Sequence, residues 1–169
     1  MMLAAVLSGF VLGALAPFVH RRLGDSTGWA LALLPAALTL YFASFLPAVA
    51  GGEPVRSAIP WVADLGVSLS FYVDGLSLLF ALLISGIGTF IVIYAGGYLK
   101  GDPQLGRFYI YLLSFMGAML GLVLADNVIT LFVFWELTSL TSFLLIGYNH
   151  TESRSRRAAM QALVVTGAG

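Results

Sequence analysis

The sequence predicts an all-α polytopic membrane protein. It should have five transmembrane helices and the start of a sixth, a short external hairpin-like segment, and its N-terminus outside. Three observations predict this. Of the 169 residues, 60% are hydrophobic and only 9% charged, and the mean hydropathy is +0.97, far from the polar content a soluble domain needs. Several apolar runs reach the roughly 20 residues that cross a hydrocarbon layer of about 30 Å. The charges fall almost entirely between those runs, and the basic ones fall on one side.

The first helix is expected over about residues 2–19. It is apolar from residue 2, and Arg21 and Arg22 follow it rather than precede it, the wrong polarity for a cleaved signal peptide. A second helix is expected over 28–48. The next stretch, 51–73, is punctuated by Gly51, Gly52, Pro54 and Pro60, and from residue 67 it alternates: Val67, Leu69, Phe71 and Val73 against Ser68, Ser70 and Tyr72. A period of two is a strand pattern, so "IPWV" and "VSLSF", on either side of Asp64–Gly66, are expected to pair as a short hairpin. Helices follow over 74–98, 106–125 and 127–148, and a sixth begins near Arg157. From Ala158 to Gly169 that helix rises only about 18 Å, so the chain is expected to be the N-terminal piece of a longer protein. The organisation is thus 1–50, two helices; 51–73, an external loop; and 74–169, three helices and the start of another.

Seven of the eight basic residues (Arg21, Arg22, Lys100, Arg107, Arg154, Arg156 and Arg157) lie in the segments after the first, third and fifth helices, and only Arg56 lies on the other side. Excess Lys and Arg mark cytoplasmic loops, which predicts those three loops inside; "ESRSRR" is then a topology anchor. Small residues recur at helical spacing: Ala5, Gly9, Gly13 and Pro17; Ser77, Ala81, Ser85, Thr89 and Gly97; Gly117, Gly121 and Ala125. Such ladders let membrane helices approach closely.

Several chemistries are excluded. There is no Cys, so there are no disulfides, thiol nucleophiles or thiolate-bound metals. His20 and His150 are too few for a His-rich metal site, the net charge is zero, and no basic run suggests a nucleic acid. Of the eight acids, Asp25, Glu53, Asp64, Asp102 and Glu152 fall in loops. Asp74 and Asp126 open helices and are expected to cap them. Asp126 is also a weak pathway candidate, because it opens the helix that carries Glu136.

Glu136 is the exception. It lies nine residues past Asn127, roughly 13 Å into its helix, near the middle of the bilayer. Such acids are costly there and face a bundle interior or a water path. Glu136 either holds a proton or is paired with a cation, and a group poised between those states can pass protons. Helix geometry separates the nearby hydroxyls. Ser139 lies roughly 60° from Glu136, while Thr138, Thr141 and Ser142 lie about 120–160° away. Ser139 is therefore the local hydrogen-bond candidate. No buried Lys, Arg or His is predicted in the first four helices, so the main partner of Glu136 is expected beyond Gly169 or in another subunit.

"DGLSLLFALLISGIGTFIVIYAGGYL" (74–99) and "LADNVITLFVFWELTSLTSFLLIGY" (124–148) resemble the A subunits of the Mrp-type multisubunit cation/proton antiporters. That family is related to the antiporter-like subunits of respiratory complex I and of membrane-bound hydrogenases. The likeness covers most of 60–169; the first 50 residues match in hydropathy only. Complex I counterparts typically carry a Gly-Trp-Glu-Gly-type core, which Phe134-Trp135-Glu136-Leu137 does not match. The resemblance implies an antiporter core of about fourteen helices, in which the Glu matched by Glu136 pairs with a Lys two helices further on. It implies exchange of cytoplasmic Na⁺ for external protons in a prokaryotic cytoplasmic membrane, without a cofactor. The partners would be the other Mrp subunits and the C-terminal remainder of the subunit. Two alternatives remain open from sequence: a proton-pumping subunit of complex I or a hydrogenase, and a structural membrane subunit in which Glu136 moves no protons.

Overall fold

The computed structural model describes residues 1–62, 64 and 66–167. Leu65 of the expected hairpin turn and Gly169 of the expected last helix lie outside the described residues. Helix α1 (Met2–Leu23) is followed by a 3-10 turn, Gly24–Ser26, and by α2 (Thr27–Ala43) and the short α3 (Leu46–Ala50). Strands β1 (Val55–Val62) and β2 (Val67–Val73) come next, then α4 (Gly75–Tyr98), α5 (Leu105–Val123), α6 (Val128–Ile146) and α7 (Ser153–Gly167). Among the described residues, four helical stretches are long and apolar enough to cross a membrane: Met2–Ala50, Gly75–Tyr98, Leu105–Val123 and Val128–Ile146.

The first of these stretches is broken twice. At Gly24 the backbone has φ +51°, a conformation open to glycine at little cost, and the chain changes direction there. The second expected helix also ends early, at Ala43 rather than residue 48. Pro47 has no N–H to offer the carbonyl of Ala43, and Phe45 N–H bonds instead to Phe42 O at 3.0 Å. The last helix starts at Ser153, before Arg157, because the basic loop residues themselves form its first turn.

Helix α1 packs on α5, α2 on α4, α5 also on α4 and α6, and α6 on α7. The small residues lie at these crossings. A Cβ on Gly9 would come within 2.7 Å of Leu113 O, and one on Gly117 within 2.9 Å of Val6 O. Pro17 faces Gly106, and Gly121 meets the ring of Phe134. On α4 the close approach is made by Gly96 against Gly28, whereas Gly97 of the expected ladder faces open space. Tyr109 closes that crossing, fully buried, with its hydroxyl donating to Val92 O at 3.1 Å.

The hairpin is longer than its sequence pattern suggests. β1 and β2 are antiparallel from Val55↔Val73 to Val62↔Val67, with an irregularity between Pro60 and Val62. The guanidinium of Arg56 sits 4.6 Å from the ring centre of Tyr72. The other edge of β2 is also occupied: Tyr72 N–H donates to Leu124 O (2.8 Å) and Asp126 N–H to Ser70 O (2.9 Å). The segment joining α5 to α6 thus pairs with β2 like a third strand, which removes an open sheet edge.

The opposite end of the bundle gathers the basic segments. Lys100 pairs with Asp25 at 2.8 Å, and that carboxylate raises the lysine pKa, chiefly by its hydrogen bond. Tyr148 donates to Asp102 at 2.8 Å, and Arg107 reaches Tyr148 O at 3.0 Å. Partial burial, then the Asp102 bond, pushes the Tyr148 phenol upward.

Candidate functional site

The α6 helix is held at its start by the hairpin. Asn127 takes the N-cap, its Oδ1 accepting from Thr130 N–H at 2.7 Å, while its Nδ2 donates to Ser68 O at 2.8 Å. Asp126, expected to cap this helix, stands one residue too early. Its Oδ2 instead accepts from the Ser70 hydroxyl at 2.9 Å. Thr130 Oγ1, fully buried, accepts from Ser70 N–H at 3.0 Å. Just beyond, the rings of Phe71 and Phe134 lie 6.0 Å apart. These contacts join β2 to the first two turns of α6 and so fix the rotation of the helix that presents Glu136. The sequence carries a signal for this clamp, since Ser68 and Ser70 are the polar positions of the alternating strand, but nothing in it names their partners.

Asp74 sits at the start of α4. Its side chain accepts from Ser77 N–H at 2.8 Å, and Ser77 Oγ bonds the Asp74 backbone N–H at 2.8 Å, a reciprocal capping box. The backbone bond from Ser77, followed by its side-chain bond, lowers the Asp74 pKa.

Glu136 is half-buried two and a half turns into α6. Of the residues sharing its face, Ile129, Phe132 and Leu140 are exposed, Phe132 to 61%, while Val133 and Phe143 are half-buried. The buried face, with Thr130, Phe134 and Thr141, turns elsewhere. Among the described residues, no hydrogen bond or ion pair reaches the Glu136 carboxylate, and the only salt bridge is Lys100–Asp25 at the basic end.

Ser139, expected to approach Glu136, does not bond to it. It is 5% exposed, and its hydroxyl returns to Trp135 O at 3.2 Å, the common resting place of a serine within a helix. Thr138, Thr141 and Ser142 do likewise, donating to Trp135 O, Leu137 O and Ser139 O. Thr138, Ser139 and Ser142 line a cavity with Phe115, Met119 and Thr166, between α5 and α7. Ser139 therefore belongs to the packed side of α6, and the carboxylate stands apart from all the hydroxyls near it in sequence.

Comparison with known proteins gives the chain its family. The family model for "NADH-Ubiquinone oxidoreductase (complex I), chain 5 N-terminus" matches residues 59–109. The model for "NADH:quinone oxidoreductase/Mrp antiporter, TM" matches 125–169, the segment holding Glu136. The Na(+)/H(+) antiporter A subunit of Alkalihalophilus pseudofirmus is 49% identical over 166 residues, 96% of this chain and 20% of that protein. The corresponding A1 subunit of Staphylococcus haemolyticus is 42% identical over 163 residues, with the same coverage. The chain belongs to the family of Mrp-type antiporter A subunits, whose N-terminal region it resembles. It spans about a fifth of the length of these A subunits. A structure of an Mrp complex from Dietzia sp. superposes with a TM-score of 0.86 at 34% identity, over 99% of this chain and 18% of that one. A membrane-bound sulfane sulfur reductase, an archaeal respiratory complex, shares the fold with a TM-score of 0.72 at 21% identity, over 97% and 24%. The A-subunit likeness covers 96% of the chain and so takes in the first 50 residues, which were expected to match the family in hydropathy only.

Proposed function

We propose that this chain supplies the N-terminal part of a Na⁺/H⁺ antiporter subunit, driven by the proton-motive force within a multisubunit Mrp complex in a bacterial cytoplasmic membrane. The observation that carries the reading is Glu136: an acid at mid-helix depth, presented on an exposed apolar face of α6 with no partner among the described residues. A carboxylate so placed in lipid is costly unless a cation or a water path meets it. Its exposed face is therefore an interface with a cation-bearing helix, a buried lysine of the remaining subunit in this account. Coupling to that lysine lets Glu136 take up and release a proton.

In the same reading α1 and α2 cross the membrane separately. At about 1.5 Å per residue, a straight helix over Met2–Ala50 would far exceed the bilayer, and the turn at Gly24 divides it. With α4, α5 and α6 this makes five crossings, and α7 begins a sixth. The gathering of loops after α1, α4 and α6 at one end, tied by Lys100–Asp25 and Tyr148–Asp102, supports an inward basic end and an outward hairpin with the N-terminus. The hairpin clamp sets α6, Asp126 belonging to that clamp rather than to the proton path.

That the relatives are antiporter A subunits favours this reading over a respiratory pump. Vesicles from cells with and without the gene test it: Na⁺-dependent proton flux should appear only in the former. Equal flux in both would rule out transport by this subunit.

A further inference from the structure

A cavity of about 330 Å³ lies between α5, α6 and α7 at the basic end, with Arg107, His150 and Arg156 at its rim and Phe143, Leu144 and Met160 along its wall. No carboxylate lines it among the described residues. Asp102, the nearby acid, is occupied by the Tyr148 hydroxyl and Gln104 N–H. Arg107 Nη2 bonds Tyr148 O and meets His150 Nδ1 at 3.1 Å, while its Nε is buried with no partner among the described residues. Arg156 uses Nη1 on His150 O and Thr151 O (2.7 and 3.1 Å). Two fixed positive charges thus face one cavity with donors to spare. Next to them the wall is apolar and open, Met160 being 54% exposed.

A phosphate group matches the two guanidinium forks, and basic pockets between membrane helices suit anionic head groups. We propose that this cavity binds an anionic phospholipid, its phosphate between Arg107 and Arg156 and an acyl chain along Leu144 and Met160. A free phosphate would use the same arginines, but it would leave the apolar wall uncovered. The order of charge at the bundle end followed by apolar surface toward its middle is that of a lipid.

The test uses the complete antiporter complex in vesicles containing either photoactivatable phosphatidylglycerol or photoactivatable phosphatidylcholine, with crosslinks mapped by mass spectrometry. The anionic phosphatidylglycerol is expected to label the 143–160 segment about tenfold more than the zwitterionic phosphatidylcholine. Arg156→Gln should lower that labelling about fivefold, the contribution of one arginine near a charged membrane. Arg107 also supports the Tyr148 loop, so Met160→Glu serves as the second variant, placing a carboxylate on the exposed wall; it too should lower labelling. Equal labelling by the two lipids, or parent-level labelling in both variants, would overturn the proposal. In plain phosphatidylcholine vesicles, excess inorganic phosphate should not protect Arg156 from dicarbonyl modification. Protection there would assign the cavity to a free anion and overturn the lipid.

Discussion

Three side chains show how far single residues can be judged from their neighbours in sequence. Asp74 was legible, because Asp-Gly-Leu-Ser ahead of an apolar run has a local capping solution, and Ser77 provides it. Asp74→Ala should cost about 1 kcal/mol, measured as a lower unfolding temperature of the detergent-solubilised complex. The pH dependence follows from the lowered pKa. The contribution of Asp74 is fully present above its unfolded value of about 3.9 and is lost as pH falls through the depressed folded value. The gap between parent and variant should therefore hold at neutral pH and close in strong acid; a gap that widens on acidification contradicts the cap. Ser139 was not legible. An angle of about 60° on a helix allows contact with Glu136, but the carbonyl of Trp135 is nearer at hand and costs the serine no rotation of the helix. Glu136 itself stood out because nothing local could explain it, and the structure leaves it without a local explanation.

At the scale of elements, the hydropathy runs located the helices, whereas the breaks between and within them depended on backbone detail. The interruption at Ser44–Phe45 sits in a sequence apolar but for Ser44, and only that serine and the missing N–H of Pro47 mark it. The hairpin was visible as alternation, but its second partner, the 124–126 segment, lies more than fifty residues away, beyond any local pattern. That long-range pairing gives a sharp prediction. Thr130→Val keeps the shape of a buried side chain while leaving the Ser70 N–H without its acceptor, a loss of about 1–3 kcal/mol. The variant complex should melt at a lower temperature, whereas Thr130→Ser, which keeps the oxygen, should stay closer to the parent. Equal melting of Val and Ser variants would show that the bond does not hold α6. Gly121 tests the α5–α6 crossing in the same way. Any Cβ there meets the Phe134 ring, so Gly121→Ala should destabilise by about 1–3 kcal/mol, unlike Gly97→Ala, which faces open space.

For the whole molecule, the one-sided basic loops predicted an orientation, and the structure gathers those loops at one end. The chain has no Cys, so single cysteines report sidedness cleanly. In intact cells Arg154→Cys should react only with a membrane-permeant thiol reagent, and Ser57→Cys also with an impermeant one; the reverse pattern would invert the topology. In the proposed reading a cation meets Glu136, and among the described residues no helix brings one to it, so that half of the proposed site could not be read from this sequence. Whether this carboxylate carries protons for antiport is read from Na⁺-driven proton flux in everted vesicles bearing the complete complex with Glu136→Gln. The substitution removes the charge at nearly constant shape. With the complex assembled to normal levels, flux should fall to that of vesicles lacking the subunit, while Glu136→Asp should retain part of it. Full antiport by an assembled Glu136→Gln complex would contradict the account.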